Sequence, residues 1–489
     1  MFAVPVLLLC ACSSEEEQWL ELITPNSQYI NLTITVSNSS DQTPTRAPLG
    51  GEDGNGRDEV PFERENKVTG ITFILADKSM NDPTAKIAFV KYYLVTEKTD
   101  TYPTDGHGHT DTDIEKKYTT GDQLVRKNEL DLTENKDYYV YVVANRNIPA
   151  NVGDNLSTIK DKALNRYEIF TGNGYAPDGC QNFAMASEQD VKINFTSTTD
   201  FDKTTESNAE HYNLKTPILI ERLAARLDFC TAYSNNLKNA TYDTYTVIKD
   251  GTSTTATGFK YDTTPAGSGY FILESITPFN IYNEGQYLFE RVTTGWTESG
   301  GSYSAATTPT YLGKETPANY IVDPHTAEKV TTPIAYESLL STTMSTTWQR
   351  TATSLNTQTS KTKVVSTIDY YNIVLAYCME NTLMPDSPLK QYATGLVITG
   401  NYYDTSNKFL TRKTFYGYLR HQGETPEPYM IVELTGENLD LDIRTSGSIP
   451  MNFGIVRNNI YRVNIESVSL KTGIEVKMYD PYLHAYIYM

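Results

Sequence analysis

The chain has 489 residues with an apolar content of 39% and a charged content of 21%, so it can bury a core and is long enough for two or three domains. Its net charge of −19 excludes a nucleic-acid-binding protein that works through a dominant basic face. The 36 tyrosines, together with many threonines, favour strands over helices.

Residues 1–12 have the pattern of a lipoprotein signal peptide. The apolar run from Val4 to Leu9 is too short to span a bilayer, and Leu9 stands three residues before Cys12 with small Ala11 next to it. This spacing predicts that Cys12 carries the lipid, and two acyl signals at one site anchor a protein stably. The alternative is an ordinary signal peptide of a soluble protein.

A strand is predicted over residues 29–36, where apolar and polar side chains alternate strictly. The apolar positions are Ile30, Leu32, Ile34 and Val36. Arg46 and Ala47 follow in a Gly/Pro/Asp-rich stretch that a trypsin-like protease could enter. This order predicts a propeptide over 13–46, cut after Arg46, whose strand fills a site and later vacates it. Arg57 and Arg64 are rival cleavage sites, and the alternative for the strand is an ordinary first strand that stays in place.

The rest of the chain predicts two β-sandwich domains, over 47–212 and 213–489. Short strand-like runs separated by Gly, Pro and Asn are typical of that architecture. One helix is expected where apolar residues recur at helical spacing from Leu156 to Tyr167. The polar stretch 196–213 is predicted to be a linker or long loop, with the domain boundary near residue 213.

No sequence motif indicates catalysis, a cofactor or a resident metal. Neither a nucleophile elbow nor a phosphate-binding glycine loop is present, so we expect a non-enzyme. The alternating His107, His109, Asp111 and Asp113 could hold a metal ion but are more typical of a solvated hairpin tip. Cys180, Cys230 and Cys378 lack zinc-site spacing; they allow at most one disulfide, or are simply small core residues.

Several segments in order resemble the fimbrillins, the type V pilins of Gram-negative anaerobes. The similar segments are the acidic Ser13–Glu17 after the lipidation motif, Val68–Leu75, Tyr138–Asn145, Glu221–Leu227 and Val456–Ile465. One departure is the end of the chain, where Tyr482–Met489 has tyrosine in place of the family's tryptophan. The resemblance implies an all-β protein of two tandem β-sandwiches, transthyretin-like with Greek-key connections, and a few short helices.

The resemblance also implies an assembly mechanism. The precursor would reach the outer membrane as a lipoprotein, an arginine-specific protease would cut after Arg46, and a strand from another pilin subunit would fill the vacated groove. Residues 482–489 are suited to donate that strand, because apolar side chains occupy every second position. These are Leu483, Ala485, Ile487 and Met489. Their burial would gain roughly 5–10 kcal/mol before costs.

Two functions therefore compete. The first is a structural subunit of an extracellular fimbrium that serves adhesion and colonisation, in a homopolymer or a mixed filament. The second is a monomeric cell-surface lipoprotein that binds a glycan or a host protein. They differ in whether the surface-exposed protein has lost its first 46 residues. For the C-terminal segment, the alternative to a donor strand is an ordinary edge strand of its own domain.

Overall fold

The computed structural model is all-β, as the sequence predicted. It has three single-turn helices among the residues that it describes: α1 (Glu63–Asn66), α2 (Ser157–Lys160) and α3 (Arg166–Ile169). The described residues are 27–36, 63–98, 116–125, 129–160, 162–172, 179–187, 190–206, 208–230, 242–263, 267–279, 284–291, 297–299, 302–304, 310–311, 350–351, 364–365, 368–369, 372–379, 381–383, 394–419, 429–433, 453–455, 457–458, 460–469 and 473–479.

The N-terminal half is built from fourteen of the described strands. They are β1 (Gln28–Asn31), β2 (Thr33–Val36), β3 (Gly70–Ala76), β4 (Ile87–Leu94), β5 (Thr96–Glu97), β6 (Lys116–Thr119), β7 (Gln123–Val125), β8 (Asp137–Ala144), β9 (Ala163–Asn165), β10 (Met185–Ser187), β11 (Val191–Asn194), β12 (Phe201–Glu206), β13 (Ala209–Leu214) and β14 (Ile218–Arg222).

Two sheets organise this half. The smaller has the order β12-β13-β1-β7, and the larger has the order β4-β3-β8-β10-β14-β2-β6-β5, with β11 on β8. The two ends of the larger sheet come from one stretch of chain: β4 bonds β3 at one end of the order, and β5, which follows β4 directly in the sequence, bonds β6 at the other.

The C-terminal half is strand-rich in the same way. Its described strands are β15 (Ala225–Cys230), β16 (Tyr242–Lys249), β17 (Thr252–Thr263), β18 (Gly267–Phe279), β19 (Glu284–Tyr287), β20 (Glu290–Arg291), β21 (Thr297–Ser299), β22 (Ser302–Ser304), β23 (Thr310–Tyr311), β24 (Arg350–Thr351), β25 (Val364–Val365), β26 (Ile368–Asp369), β27 (Asn372–Cys378), β28 (Asn381–Leu383), β29 (Gly395–Asp404), β30 (Phe409–Tyr418), β31 (Tyr429–Glu433), β32 (Phe453–Ile455), β33 (Ile460–Ser469) and β34 (Gly473–Tyr479).

The main C-terminal sheet has the order β16-β17-β18-β29-β30-β31-β34-β33-β15-β27, with β24 on β18. Its first hairpin turns at Asp250 and Gly251, which have φ values of 53° and 73°. A two-residue Asp-Gly turn with both φ angles positive matches the right-handed twist of the strands that it joins. The β15–β34 strands enclose a core of their own, while Tyr377 packs with the N-terminal core.

Two sequence expectations are wrong. The single helix from Leu156 to Tyr167 is replaced by α2, β9 and α3, because residues 163–165 pair with β19 and a capping box between Asn165 and Glu168 starts a new turn. The predicted linker 196–213 contains the β12–β13 hairpin. It reads as polar because β12 is the outermost strand of its sheet and residues 202–206 are exposed.

The change from N-terminal to C-terminal sheets falls between β14 and β15, after the predicted boundary at residue 213. The pairing of β9 with β19 crosses this division. The division into the two domain ranges stays a prediction.

Candidate functional site

Residues 28–36, called the N-terminal strand below, lie in the interior of both N-terminal sheets. The β1 part is parallel to β13 and antiparallel to β7, and the β2 part is parallel to β14 and antiparallel to β6. One segment therefore runs between residues 209–222 on one side and residues 116–125 on the other. These two flanking segments are called the strand slot below.

The inner face of the N-terminal strand is fully buried. The side chains of Ile30, Leu32, Ile34 and Val36 are 1%, 0%, 0% and 0% exposed, and all four belong to the N-terminal core. Tyr29, Asn31 and Thr33 point the other way and are half-buried. At about 1.5–3 kcal/mol for each buried aliphatic side chain, the four residues contribute roughly 6–12 kcal/mol of gross burial energy.

Leu32 marks the point where the strand passes from one sheet to the other. Its N–H donates to Thr120 Oγ1 at 3.0 Å, and its carbonyl accepts from the Thr120 N–H at 3.1 Å. A single threonine thus satisfies both backbone groups of Leu32 at the place where the two ladders are interrupted. An unsatisfied buried backbone group costs about as much as a lost hydrogen bond.

The outer face of the N-terminal strand carries a stacked pair of rings. Tyr29 and His211 have ring centroids 4.9 Å apart with planes 13° apart. His211 Nδ1 lies 3.1 Å from Asp122 Oδ2. His211 belongs to β13, and Asp122 lies directly before β7, so this contact joins the two flanks of the strand slot across the strand.

A buried ionic cluster fixes the segment that follows the predicted cleavage region. The Glu65 carboxylate of α1 accepts two hydrogen bonds from Arg226 Nη1, at 3.0 and 2.9 Å, and one from the Tyr377 hydroxyl. Arg226 in turn donates to both carboxylate oxygens of Asp228 at 2.9 Å. Because Arg226 is in β15 and Tyr377 is in β27, the cluster ties α1 to the C-terminal half.

The electrostatics of this cluster favour the charged form of Glu65. Burial raises the pKa of Glu65, but the positive charges of Arg226 and Arg222 and the hydrogen bond from Tyr377 outweigh it, so the pKa lies below its usual value. Burial lowers the pKa of Arg222 to about 10. Arg222 donates to the Asn66 side chain, and the Tyr118 hydroxyl of β6 donates to the Asn66 carbonyl at 2.7 Å. This chain of contacts connects α1 to one flank of the strand slot.

Several predicted site residues lie outside the described residues. They are Cys12, Arg46, Ala47, Arg57, the His107–Asp113 cluster, Leu483, Ala485, Ile487 and Met489. Arg64 is described: it is half-buried in α1 and donates from Nη2 to the Tyr377 hydroxyl at 3.4 Å. Cys180 and Cys378 are buried, and burial raises the pKa of the Cys378 thiol. That the N-terminal strand can be removed stays a prediction.

The sequence reasoning missed the residues that hold the N-terminal strand from the side. Thr120, Asp122 and His211 are separated from it by long stretches of chain, and no local pattern marks them. Glu65 was also missed, because it stands in the sequence between Arg64 and Asn66, in a run of polar and charged residues where nothing marks it as buried.

In the part of the chain that the structure describes, there is no cluster of three or more metal-ligating side chains. The same residues contain no helix with the length and hydropathy needed to cross a membrane.

No protein-family model matches the chain, and no curated protein sequence matches it. Among solved structures, it is similar to the tip fimbrial protein Mfa3 of Porphyromonas gingivalis, with 10% identity, a TM-score of 0.36, and coverage of 93% of this chain and 99% of that one. It is also similar to a proposed cell adhesion protein of Parabacteroides distasonis, with 12% identity, a TM-score of 0.36, and coverage of 93% and 99%.

A third similar structure is the fimbrilin FimA of Porphyromonas gingivalis, with 12% identity, a TM-score of 0.34, and coverage of 93% of this chain and 96% of that one. Fimbrial subunits are thus among the solved structures that the chain resembles, as the sequence motifs predicted. The function proposed below rests on the chain's own strands and side chains and not on these similarities.

Proposed function

We propose that the chain is a structural subunit of a surface fimbrium, which polymerises by exchanging its N-terminal strand for a strand of another subunit and serves adhesion. The observation that carries this proposal is the position of residues 28–36 in the interior of two sheets at once. Their removal would open both sheets along one continuous line, the strand slot.

The geometry of the opened slot suits a single strand. Neighbouring strands lie about 4.8 Å apart, so the two flanks would face each other across a gap of roughly 9.6 Å with unpaired N–H and C=O groups on both sides. Such edges recruit another strand, as in β-augmentation. The incoming strand would also bury the apolar surface left by Ile30, Leu32, Ile34 and Val36.

In this proposal the incoming strand is residues 482–489 of a second copy or of another pilin subunit. It presents Leu483, Ala485, Ile487 and Met489 at alternate positions, which matches a slot with one apolar face. A contact that joins the C-terminal strand of one subunit to the N-terminal half of the next is heterologous and does not close, so it builds a filament.

Processing at Arg46, before Ala47, would release the N-terminal strand. The rival Arg64 is disfavoured, because a protease must bind its substrate in an extended form, whereas Arg64 lies in α1 next to the buried Glu65 and Asn66. Extending this turn would break the bonds of Glu65 to Arg226. The N-terminal strand is then released while α1 stays attached to the C-terminal half.

The proposal includes the route to the surface. A precursor lipidated at Cys12 would be held in the outer membrane until the arginine-specific protease removes residues 1–46, and the remaining 443 residues would join the extracellular fimbrium. Replacement of Cys12 by Ala should leave the precursor without lipid, which metabolic labelling with a fatty acid measures.

The test compares Arg46→Ala with the matched control Arg64→Ala in cells, by N-terminal sequencing of the surface-extracted protein and by detection of polymer ladders. We expect Arg64→Ala to begin at Ala47 and to polymerise, and Arg46→Ala to remain an uncut monomer. Deletion of residues 482–489 should give a processed subunit that does not polymerise. Normal polymer ladders from both the Arg46→Ala chain and the chain without residues 482–489 would exclude strand exchange. A surface protein that keeps residue 13 and never polymerises would favour the alternative, a monomeric lipoprotein.

A further inference from the structure

The strand slot carries an aromatic platform on its outer face. In the ladder, Tyr29 lies opposite His211 of β13 on one side and Leu124 of β7 on the other, so these three side chains share a face. Asp122 stands two residues before Leu124 and lies on the same face. The Asp122 carboxylate, 3.1 Å from His211 Nδ1, holds the imidazole so that its ring plane lies along that of Tyr29.

The C-terminal segment repeats the sequence pattern of the N-terminal strand. Residues 29–36 read Tyr-Ile-Asn-Leu-Thr-Ile-Thr-Val, and residues 482–489 read Tyr-Leu-His-Ala-Tyr-Ile-Tyr-Met. Aligning the two first tyrosines places Leu483 at the site of Ile30 and Ile487 at the site of Ile34. Both segments therefore begin with a tyrosine directly before four alternating apolar positions.

We propose that His211 is a specificity-determining residue of strand exchange: it sets the register of the incoming C-terminal strand of a second copy by stacking on Tyr482. This inference rests on the proposed exchange function. Tyr482 takes the place of Tyr29 on the imidazole, and the four apolar side chains then enter the four buried sites in order.

A register device is needed because the apolar pattern alone tolerates slips by an even number of residues. Such a slip keeps every apolar side chain on the inner face. A slip that brings His484 over His211 places two imidazoles together and leaves the site of Val36 empty. A slip that brings Tyr486 over His211 leaves two of the four buried sites empty. Only the register with Tyr482 on His211 both stacks a tyrosine on the imidazole and fills all four buried sites.

The first experiment uses synthetic octapeptides as the incoming strand. The full chain is cut at Arg46 by limited trypsin treatment, and mass spectrometry after gel filtration measures how much peptide displaces the N-terminal fragment. The peptide of residues 482–489 is compared with its Tyr482→Ala form and with a matched control, Tyr486→Ala, which removes a ring that has no aromatic partner in this register. We expect Tyr482→Ala to weaken displacement roughly 3- to 10-fold more than the control does, the range for an aromatic pair.

The second experiment changes the platform. His211→Ala should abolish the difference between the natural and Tyr482→Ala peptides, whereas His211→Phe, which keeps a ring but loses the contact with Asp122, should retain most of it. The peptide comparison on the natural chain does not depend on whether these variants fold. A Leu124→Cys chain should form a disulfide with a Tyr482→Cys peptide and not with a His484→Cys peptide.

The outcomes separate the two proposals. The natural peptide could displace the N-terminal fragment while the Tyr482→Ala and Tyr486→Ala substitutions weaken displacement equally, or the disulfide could form with the His484→Cys peptide. Either result would show that the register role of His211 is wrong, while strand exchange would stand. If the natural peptide at millimolar concentration displaces no fragment, both proposals are overturned.

Discussion

Replacing Leu32 by Ala should loosen the N-terminal strand more than any polar change in it. Leu32 is 0% exposed and lies where the strand crosses between the two sheets. Because the flanking strands are held by their own ladders, they cannot collapse into the space that the side chain leaves. The loss should therefore be about 2–4 kcal/mol, in the range of buried Leu-to-Ala changes.

The assay has two parts, with Thr33→Ala as the matched control because Thr33 is half-buried on the opposite face. In the uncut chain, urea unfolding of the N-terminal half should show the loss of stability. After trypsin cleavage at Arg46, gel filtration should show the Leu32→Ala fragment leaving roughly 10²-fold faster, since each 1.4 kcal/mol is about a factor of ten. Equal release of the Leu32→Ala and Thr33→Ala fragments would show that the buried side chains do not hold the strand.

Three further predictions follow from the same contacts. Thr120→Val keeps the side-chain shape but leaves the Leu32 N–H without its acceptor, which should destabilise the bound N-terminal strand by about 1–3 kcal/mol. The cleaved fragment should therefore leave faster in the trypsin and gel-filtration assay, and unchanged release would contradict the role of Thr120. Glu65→Gln should lower the urea stability by about 1.5–3 kcal/mol, because it removes one of the two carboxylates that pair with the buried Arg226 and leaves only Asp228; a loss below about 0.5 kcal/mol would refute this. Folding lowers the pKa of Glu65, so this residue stabilises the folded state above its unfolded pKa near 4.5, and the stabilisation is lost as the pH falls through the folded pKa. The free energy of unfolding of the natural chain should therefore decrease below about pH 4.5, and that of the Glu65→Gln chain should decrease less. Finally, an Ala485→Leu peptide should displace the N-terminal fragment roughly tenfold better than the natural peptide, because it fills the site of Leu32; weaker displacement would indicate another register.

The local part of the site could be predicted from the sequence. Alternation over residues 29–36 is a period of two, which predicts a strand with one apolar face, and the structure places those four apolar side chains in the core. That signal depends only on neighbouring residues. The strand-rich character of both halves follows in the same way from Tyr, Thr and Val content.

The partners of the strand could not be predicted, because pairing joins residues far apart in the chain. The β13 side of the slot falls in a stretch that reads as a polar linker, since only Ala209, Tyr212 and Leu214 of β13 turn buried side chains inward. No pattern in the neighbouring sequence marks His211 or Asp122 as a functional residue. Their relation to Tyr29 exists only once β13, β1 and β7 lie side by side.

The proposed exchange gives a physical reason why cleavage should act as the switch. In that exchange the C-terminal strand would fit the slot less well than the N-terminal strand does, because Ala485 would leave part of the Leu32 site empty and the bulkier Tyr488 would have to enter where Thr35, only 2% exposed, now stands. Before cleavage the better strand is also tethered, which corresponds to an effective concentration on the order of millimolar, so no incoming strand can compete. In the proposed mechanism, cleavage would remove the tether, and a fragment that leaves would be diluted. The C-terminal strand would then win through the number of subunits present at the surface, although its fit would be poorer. The tether and the better fit of the N-terminal strand would together prevent premature polymerisation of uncut precursors.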